Sequence, residues 1–367
     1  MKSWRNRVEI SYGALGHNVR AVQAAVTPRR LFAVVKADAY GLGVERCARI
    51  YIEAGAAGVA VATVGEAQRV AAAVPGARIM LLGSPLPDER EAVVAGGFEV
   101  WVSSREEILD FAHLGHPQRP ARLHLAIDTG MGRSGCGPDE AVALGRLIRS
   151  QAGSELVGIA THYPEALDPI GSLAQEAIFE AILEGLQPID QEVLIHRANS
   201  EGSILRPPGP CNAVRVGLLL TGVESAEVAG VRLRPAIRWV SAISLVKKLP
   251  AGHSVSYNRT YRLTRDSVVA LVPVGYADGY PFQCSNRGAQ VLVGGRRCNI
   301  LGRVTMDYVI IDVTDLPRSP VAGDPVVLLG DQGADAITVT ELADWAGSIP
   351  YDILCGFRGR CEILGVA

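Results

Sequence analysis

Between residues 31 and 222 the polar and apolar positions repeat one theme. Short apolar runs recur at 31–35, 59–62, 79–82, 100–102, 123–127, 156–160, 193–195 and 214–220, bounded by polar or turn-forming residues. Runs of this length read as buried strands. Helix-like segments lie between most of them. Ser104 is placed to cap the segment that begins at Arg105, Asp139 precedes Glu140-Ala141-Val142-Ala143-Leu144, and Ser172 opens a segment in which Ala177, Ile178 and Ala181 keep helical spacing. Upstream, Ser11 is placed to cap a helix whose Leu15, Val19, Val22 and Val26 share one face. Strands alternating with helices eight times over about 200 residues predict a (β/α)8 barrel. An open doubly wound sheet would carry G-x-G-x-x-G after its first strand, and this chain does not.

After Pro235 the texture changes. Runs at 240–246, 268–274, 289–293, 308–313 and 326–329 are β-like, separated by Gly, Pro and Asp turns and interrupted by one short helix that Thr340 would cap. The expected class is therefore α/β: a (β/α)8 TIM barrel over residues 1–236, then a mostly β domain over 237–367. Residues 1–10 are open to pairing with the β domain. No low-complexity linker separates the two, so they are expected to pack tightly.

Composition narrows the class. The chain has 367 residues, 48% of them hydrophobic and 20% charged, enough to bury a large core. A net charge of −2 gives no electrostatic case for nucleic acid or an anionic membrane surface. The seven cysteines are scattered, odd in number and form no C-x-x-C pair, which predicts reduced thiols in a cytoplasmic setting and no metal site. The opening Met1-Lys2-Ser3-Trp4-Arg5-Asn6-Arg7 has no apolar stretch behind it and does not read as a signal peptide, and no apolar run is long enough to span a bilayer.

The candidate chemistry gathers at strand ends. Lys36 ends the first apolar run and opens Ala37-Asp38-Ala39-Tyr40-Gly41. A lysine there either snorkels to water or is used, and a desolvated lysine loses its proton readily, which suits carbonyl chemistry. In a barrel the active site lies at the C-terminal ends of the strands. Those ends carry Lys36, Asp128-Thr129-Gly130-Met131-Gly132-Arg133, Thr161-His162, His196-Arg197-Ala198-Asn199-Ser200, and Arg215 with Gly217. Cations, histidines, Asn-Ser and glycines on one rim, with no carboxylate cluster for a metal, predict a site for an anionic, phosphorylated ligand.

These residues carry a family likeness over nearly the whole chain. The sequence resembles alanine racemases, the fold-type III pyridoxal 5'-phosphate (PLP) enzymes. The likeness rests on Ala33-Val34-Val35-Lys36-Ala37-Asp38-Ala39-Tyr40-Gly41, Asp128-Thr129-Gly130-Met131-Gly132-Arg133, Thr161-His162, Ala198-Asn199-Ser200, Val214-Arg215-Val216-Gly217, Val255-Ser256-Tyr257, Gly275-Tyr276-Ala277-Asp278-Gly279-Tyr280, Gly302-Arg303-Val304-Thr305-Met306-Asp307 and Pro350-Tyr351. It implies a PLP-binding barrel followed by a β domain, a small amino-acid substrate with L-alanine the default, and a homodimer with shared active sites. It implies Lys36 as the lysine that carries PLP and as one acid–base group, and Tyr257 of a second subunit as the base on the opposite face. Racemisation needs such a pair, because a proton taken from one face must return on the other. A tyrosine is a poor base at its ordinary pKa near ~10, so a cationic neighbour or ordered network is expected around it.

The resemblance further implies Arg215 as the partner of the PLP ring nitrogen, oriented by His162. Tyr40, Ser200, Tyr351 and the backbone amides of Gly217 and Leu218 would hold the phosphate, and Asn199 would also bind the cofactor. Arg133 and the backbone of Met306 would meet the substrate carboxylate, and Tyr276 and Arg303 would line its entrance. The bland alternatives are a packing tyrosine at 257, a satisfied core histidine at 162 and a surface ion pair at Arg133. Departures stand beside the matches. The family's lysine-derived carbamate falls seven residues before Arg133, where this chain has Ala126, so another residue, a water or an anion must hold Arg133, or it is held less firmly. Leu42 stands for a usual His, Thr305 for a common Cys, Phe282 for a common Arg, and the tail Gly356-Phe357-Arg358-Gly359-Arg360-Cys361 differs from the family's ending. The rival readings are a serine or broad-specificity racemase, a fold-type III decarboxylase, which would carry a catalytic cysteine motif where Tyr257 stands, and a non-catalytic PLP-binding paralogue, a reading kept open by Ala126 and Leu42.

Overall fold

The computed structural model describes residues 5–223, 230–357 and 359–366; residues 1–4 of the opening segment and Arg358 of the tail lie outside them. Strand β1 (Asn6–Ser11) leads into the helix Tyr12–Val26, whose first turn is capped by Ser11 Oγ accepting from the Ala14 N–H at 3.2 Å. Eight parallel strands follow: β2 (Arg30–Val34), β3 (Gly58–Val61), β4 (Ile79–Leu81), β5 (Glu99–Val102), β6 (Ala121–Ala126), β7 (Ser154–Ala160), β8 (Leu194–His196) and β9 (Ala213–Val216). They are buried on both faces, between the barrel interior and the helices outside, which explains why they read as continuous apolar runs.

The strand order is β8-β7-β6-β5-β4-β3-β2-β9, and Asn212 closes the seam between its ends. Its N–H donates to Ile195 O (3.0 Å), its side-chain oxygen accepts from Ile195 N–H (2.8 Å), and its amide donates to Val193 O (2.8 Å). The barrel interior is filled by side chains, including Glu99, Trp101, His124, His196 and Arg215, all buried.

The remaining strands are β10 (Ile237–Ala242), β11 (Leu245–Leu249), β12 (Ser254–Val255), β13 (Tyr261–Arg262), β14 (Ser267–Val272), β15 (Gln290–Val293), β16 (Arg296–Asn299), β17 (Val309–Asp312), β18 (Pro325–Gln332), β19 (Asp335–Ile337) and β20 (Glu362–Val366). A seven-stranded sheet runs β16-β15-β18-β10-β1-β20, with β19 paired to β18. The first strand of the chain thus lies between β10 and β20, antiparallel to one and parallel to the other, tying the start of the chain to its end. A three-stranded sheet β11-β14-β17 and the hairpin β12-β13 complete this part.

Several local readings shift. The apolar run 214–220 is a strand only to Val216; Gly217, at φ −122° and ψ −81°, turns the chain into a 3-10 turn, Leu218–Thr221, whose leucines are apolar because they are buried. Asp139 lies inside the first turn of the helix Pro138–Ser150, which Gly137 precedes. The helix Pro169–Gly185 starts before Ser172, with the Asp168 carboxylate accepting from the Ile170 and Gly171 N–H groups. Thr338 rather than Thr340 caps Val339–Ala346, because only Thr338 has a glutamate three residues on to complete a capping box. A second short helix, Pro350–Cys355, follows. No helix among the described residues is long and apolar enough to cross a membrane.

Candidate active site

A cavity of about 250 Å³ opens at the C-terminal ends of the barrel strands, lined by Val34, Lys36, Tyr40, Ala62, Leu82, Trp101, Arg133, His162, Asn199, Ser200, Arg215, Gly217 and Tyr351. Lys36 follows β2 directly. Burial, and then the nearby Arg133 cation, push its amine below the ordinary lysine range. The next four residues, Ala37, Asp38, Ala39 and Tyr40, form one left-handed turn with φ between 52° and 57°. L-residues resist this geometry by roughly 1–2 kcal/mol each. Glu66 answers part of that cost: its carboxylate accepts from the Ala37 N–H at 2.6 Å and from those of Ala62 and Thr63 at 2.9 and 3.2 Å. The turn delivers Tyr40 to the cavity, 5.8 Å ring to ring from Tyr351.

Arg215 is wholly buried on β9, and burial lowers its pKa to about 10, leaving it a cation at neutral pH. Its guanidinium donates to His162 Nδ1 (3.1 Å), to Thr161 O (3.0 Å) and to His196 Nδ1, and it lies over the Trp101 ring at 5.0 Å. His162 is pushed down to about 3, by burial first and then by Arg215, so it stays a neutral acceptor.

Beside Arg215 the chain builds a small polar cradle. The Gly217 N–H donates to Ser200 Oγ at 3.0 Å, and a Cβ on Gly217 would stand 2.1 Å from Tyr40 Oη, so only glycine fits there. Asn199 lines the cavity while its oxygen accepts from the Gly202 N–H, capping the helix Ser200–Leu205. Leu218 lies behind Gly217 with its side chain buried.

Arg133 reaches the cavity from the loop after β6. The Asp128 carboxylate organises this loop by accepting from the Gly130 and Gly132 N–H groups at 2.9 Å, and Gln175 donates to Thr129 Oγ1 at 3.1 Å. Among the described residues the Arg133 guanidinium itself has neither a hydrogen-bond nor an ion-pair partner. Ala126 is buried and offers no polar atom, so support reaches Arg133 through its loop backbone.

The β-rich part places its candidates elsewhere. Tyr257 is 69% exposed and Met306 51% exposed, and neither lines the cavity of its own chain. Ser256, just before Tyr257, sits at φ 64° and ψ −172°, a conformation natural only to glycine. It is held by Ser256 Oγ donating to Arg303 O at 2.7 Å. Met306 tops a turn that Thr305 locks, its Oγ1 donating to Tyr308 O at 2.9 Å and accepting from the Tyr308 N–H at 3.0 Å. The Ala277 N–H donates to Met306 O at 3.1 Å, and Arg360 of the divergent tail anchors the same turn through Asp307 at 2.7 Å. Phe282 packs its ring against Tyr276 and under the Arg303 guanidinium, 4.9 Å away. Among the described residues of this chain the Tyr257 hydroxyl makes no hydrogen bond.

Three residues on or near the Arg215 network escaped the sequence reading, Glu99, Trp101 and His124, and His196 was named on the rim without a role. The available signal was a charged or ring-nitrogen side chain inside an otherwise apolar strand, where burial demands a partner. Among the described residues no group of three or more His, Cys, Asp or Glu side chains is placed to hold a metal ion.

The donor set fits a phosphorylated pyridine aldehyde: a desolvated amine, a buried guanidinium donor, and a cradle of hydroxyls and backbone amide that a single Cβ would fill. Comparison with known proteins points the same way. Residues 10–225 match the family model described as alanine racemase, N-terminal domain, and residues 236–364 match alanine racemase, C-terminal domain. The alanine racemase of Symbiobacterium thermophilum is 40% identical over 363 residues, covering 96% of this chain and 94% of the relative. The crystal structure of alanine racemase from D-cycloserine-producing Streptomyces lavendulae superposes with a TM-score of 0.90 at 34% identity, covering 100% of this chain and 98% of that one. That of Bartonella henselae alanine racemase, with covalently bound pyridoxal phosphate, gives 0.87 at 28% identity, covering 99% of both chains.

Proposed function

This chain belongs to the alanine racemase family, and from that premise we propose that it interconverts L- and D-alanine with pyridoxal 5'-phosphate, using Lys36 and Tyr257 on opposite faces of the substrate α-carbon. The observation that carries the reading is the pairing, in one cavity, of a desolvated Lys36 amine with a buried Arg215 cation.

Lys36 would carry the cofactor, Arg215 would donate to its ring nitrogen, Tyr40, Ser200, Tyr351 and the Gly217 and Leu218 backbone would hold its phosphate, and Asn199 would also bind the cofactor. When bound, pyridoxal phosphate supplies the electron sink that acidifies the substrate α-proton. Everything else falls to the chain. The lowered pKa of Lys36 favours a neutral amine able to take a proton at its Nζ. Arg133, free of protein partners, is available to a carboxylate. His162 presents a lone pair to Arg215 and fixes its orientation.

Tyr257 needs a second copy. Its exposure, the exposure of Met306, and the absence of a hydroxyl partner among the described residues of its own chain support a homodimer in which each cavity is completed by the other subunit. Within this reading the barrel domain spans residues 1–236 and the β domain 237–367, with β1 contributed to the latter's sheet. The exposed Tyr276 and Phe282 pack ring to ring, Phe282 beneath Arg303, and Tyr276 and Arg303 would line the shared entrance. We place the enzyme in the cytoplasm, consistent with seven scattered cysteines that form no C-x-x-C pair.

The deciding experiment is α-proton exchange in D2O. PLP-loaded protein is incubated separately with L-alanine, L-serine and other L-amino acids, with deuteration followed by NMR and chirality by chromatography. Exchange with D-alanine formation is expected. Exchange without D-product would sink the two-base assignment, and D-serine in preference to D-alanine would move the substrate.

A further inference from the structure

Arg215 is wired downward as well as toward the cavity. An arginine can only donate, so its bond to His196 makes His196 Nδ1 an acceptor and puts the proton of that ring on Nε2. That Nε2–H donates to His124 Nδ1 at 3.0 Å, which in turn puts the His124 proton on Nε2, donating to Glu99 Oε2 at 2.9 Å. Every direction in the chain is forced. Both rings are neutral, a state that their burial favours, and Glu99 is the anion at the far end.

Glu99 divides its oxygens. Oε1 serves Arg78 and Arg122, at 2.5 and 2.8 Å, whose side chains are partly open to solvent at the opposite mouth of the barrel. Those two arginines can be hydrated without a carboxylate. Oε2 serves His124 alone, which is 0% exposed and has no such recourse. The buried oxygen therefore acts inward.

We propose that Glu99, acting through His124 and His196, is a positioning residue that keeps Arg215 in one orientation and so sets the strength of its bond to the cofactor ring nitrogen. The proposal rests on the reading of Arg215 as the partner of that nitrogen. Glu99→Gln is the informative change, because it keeps the shape of the side chain and an acceptor oxygen for the His124 Nε2–H while removing the charge that strengthens this bond.

The test compares full-length wild-type and E99Q proteins for equilibrium binding of pyridoxal 5'-phosphate and of its 1-deaza analogue, in which a C–H replaces the ring nitrogen. Wild type is expected to prefer pyridoxal phosphate by about tenfold or more, the size of a hydrogen bond from a charged donor. E99Q is expected to lose most of that preference, with affinity for the deaza analogue unchanged. Equal weakening toward both ligands, or no change toward either, would overturn the relay and leave Glu99 as a partner of Arg78 and Arg122 only. No preference in the wild type would instead overturn the assignment of Arg215. Nitrogen-15 NMR of histidine-labelled wild-type protein gives a readout independent of the variant's folding. His124 and His196 are both expected as neutral rings protonated at Nε2, and an imidazolium or an Nδ1–H on either one would refute the proposal.

Discussion

The two candidate proton-handling residues sit in opposite kinds of surroundings. Lys36 is desolvated at the end of a barrel strand, and the cavity it shares contains Arg215, whose guanidinium is held by four acceptors within the same chain. Tyr257 stands in solvent on a 3-10 turn, preceded by a serine in a glycine conformation and with its hydroxyl unmet. The barrel builds its half of the chemistry from its own residues. The β-rich part instead builds a mount around Ser256 and leaves Tyr257 exposed, as the proposed completion of each cavity by a second subunit requires.

The most severe break in this comparison is Lys36→Ala, which should reduce α-proton exchange by roughly 10⁴-fold or more from either enantiomer. Tyr257→Phe should cost about 10²- to 10⁴-fold, and chiefly in proton removal from one enantiomer, as single-enantiomer exchange in D2O would reveal. Equal loss from both would contradict the two-face assignment. Mixing Lys36→Ala and Tyr257→Ala subunits tests the partner directly. Recovered activity after subunit exchange is expected, and none, with exchange verified, would return Tyr257 to its own chain.

A milder change sharpens the barrel side. Arg133 is a cation that disfavours the charged form of Lys36, so Arg133→Gln should raise the Lys36 pKa. Burial remains, so the value should stay below that of an ordinary lysine. The pH dependence of amine modification in cofactor-free protein reads this shift, and a downward move would contradict it. The smallest effect belongs to Ser256. Glycine there should relieve about 1–3 kcal/mol of backbone strain while losing a hydrogen bond of about 0.5–1.5 kcal/mol, whereas Ser256→Ala loses the bond and keeps the strain. Denaturant unfolding should therefore rank the glycine variant above the alanine variant.

How much of this was legible in the sequence follows the range of the interactions. Each barrel strand announced itself because burial on both faces needs only a local apolar run, as at Leu31, Phe32 and Ala33. The cavity residues Lys36, Tyr40, Arg133, His162, Asn199, Ser200, Arg215, Gly217 and Tyr351 were named from motifs, and the fold brings these nine together. Glu99 and His124 were passed over. Within the strand pattern one looks like a polar flank and the other like an interruption, and their meaning comes from each other across 25 residues and from His196 across 72 more. The turn at Ala37–Tyr40 was equally hidden, since it contains no glycine to betray its left-handed backbone.

That turn also has a consequence in time. Nothing in Ala37, Asp38, Ala39 or Tyr40 favours their geometry, and the carboxylate that satisfies the first two amides arrives from Glu66, after the next strand of the barrel. The segment is therefore expected to assemble late, with the Ala37 and Asp38 amides gaining hydrogen-exchange protection after those of β2 during refolding. Until then Lys36 is one flexible lysine among several. If Lys36 carries the cofactor as proposed, an aldehyde encountering the chain early has no more reason to choose it than Lys247 or Lys248, and selectivity for that amine is acquired only at the end of folding.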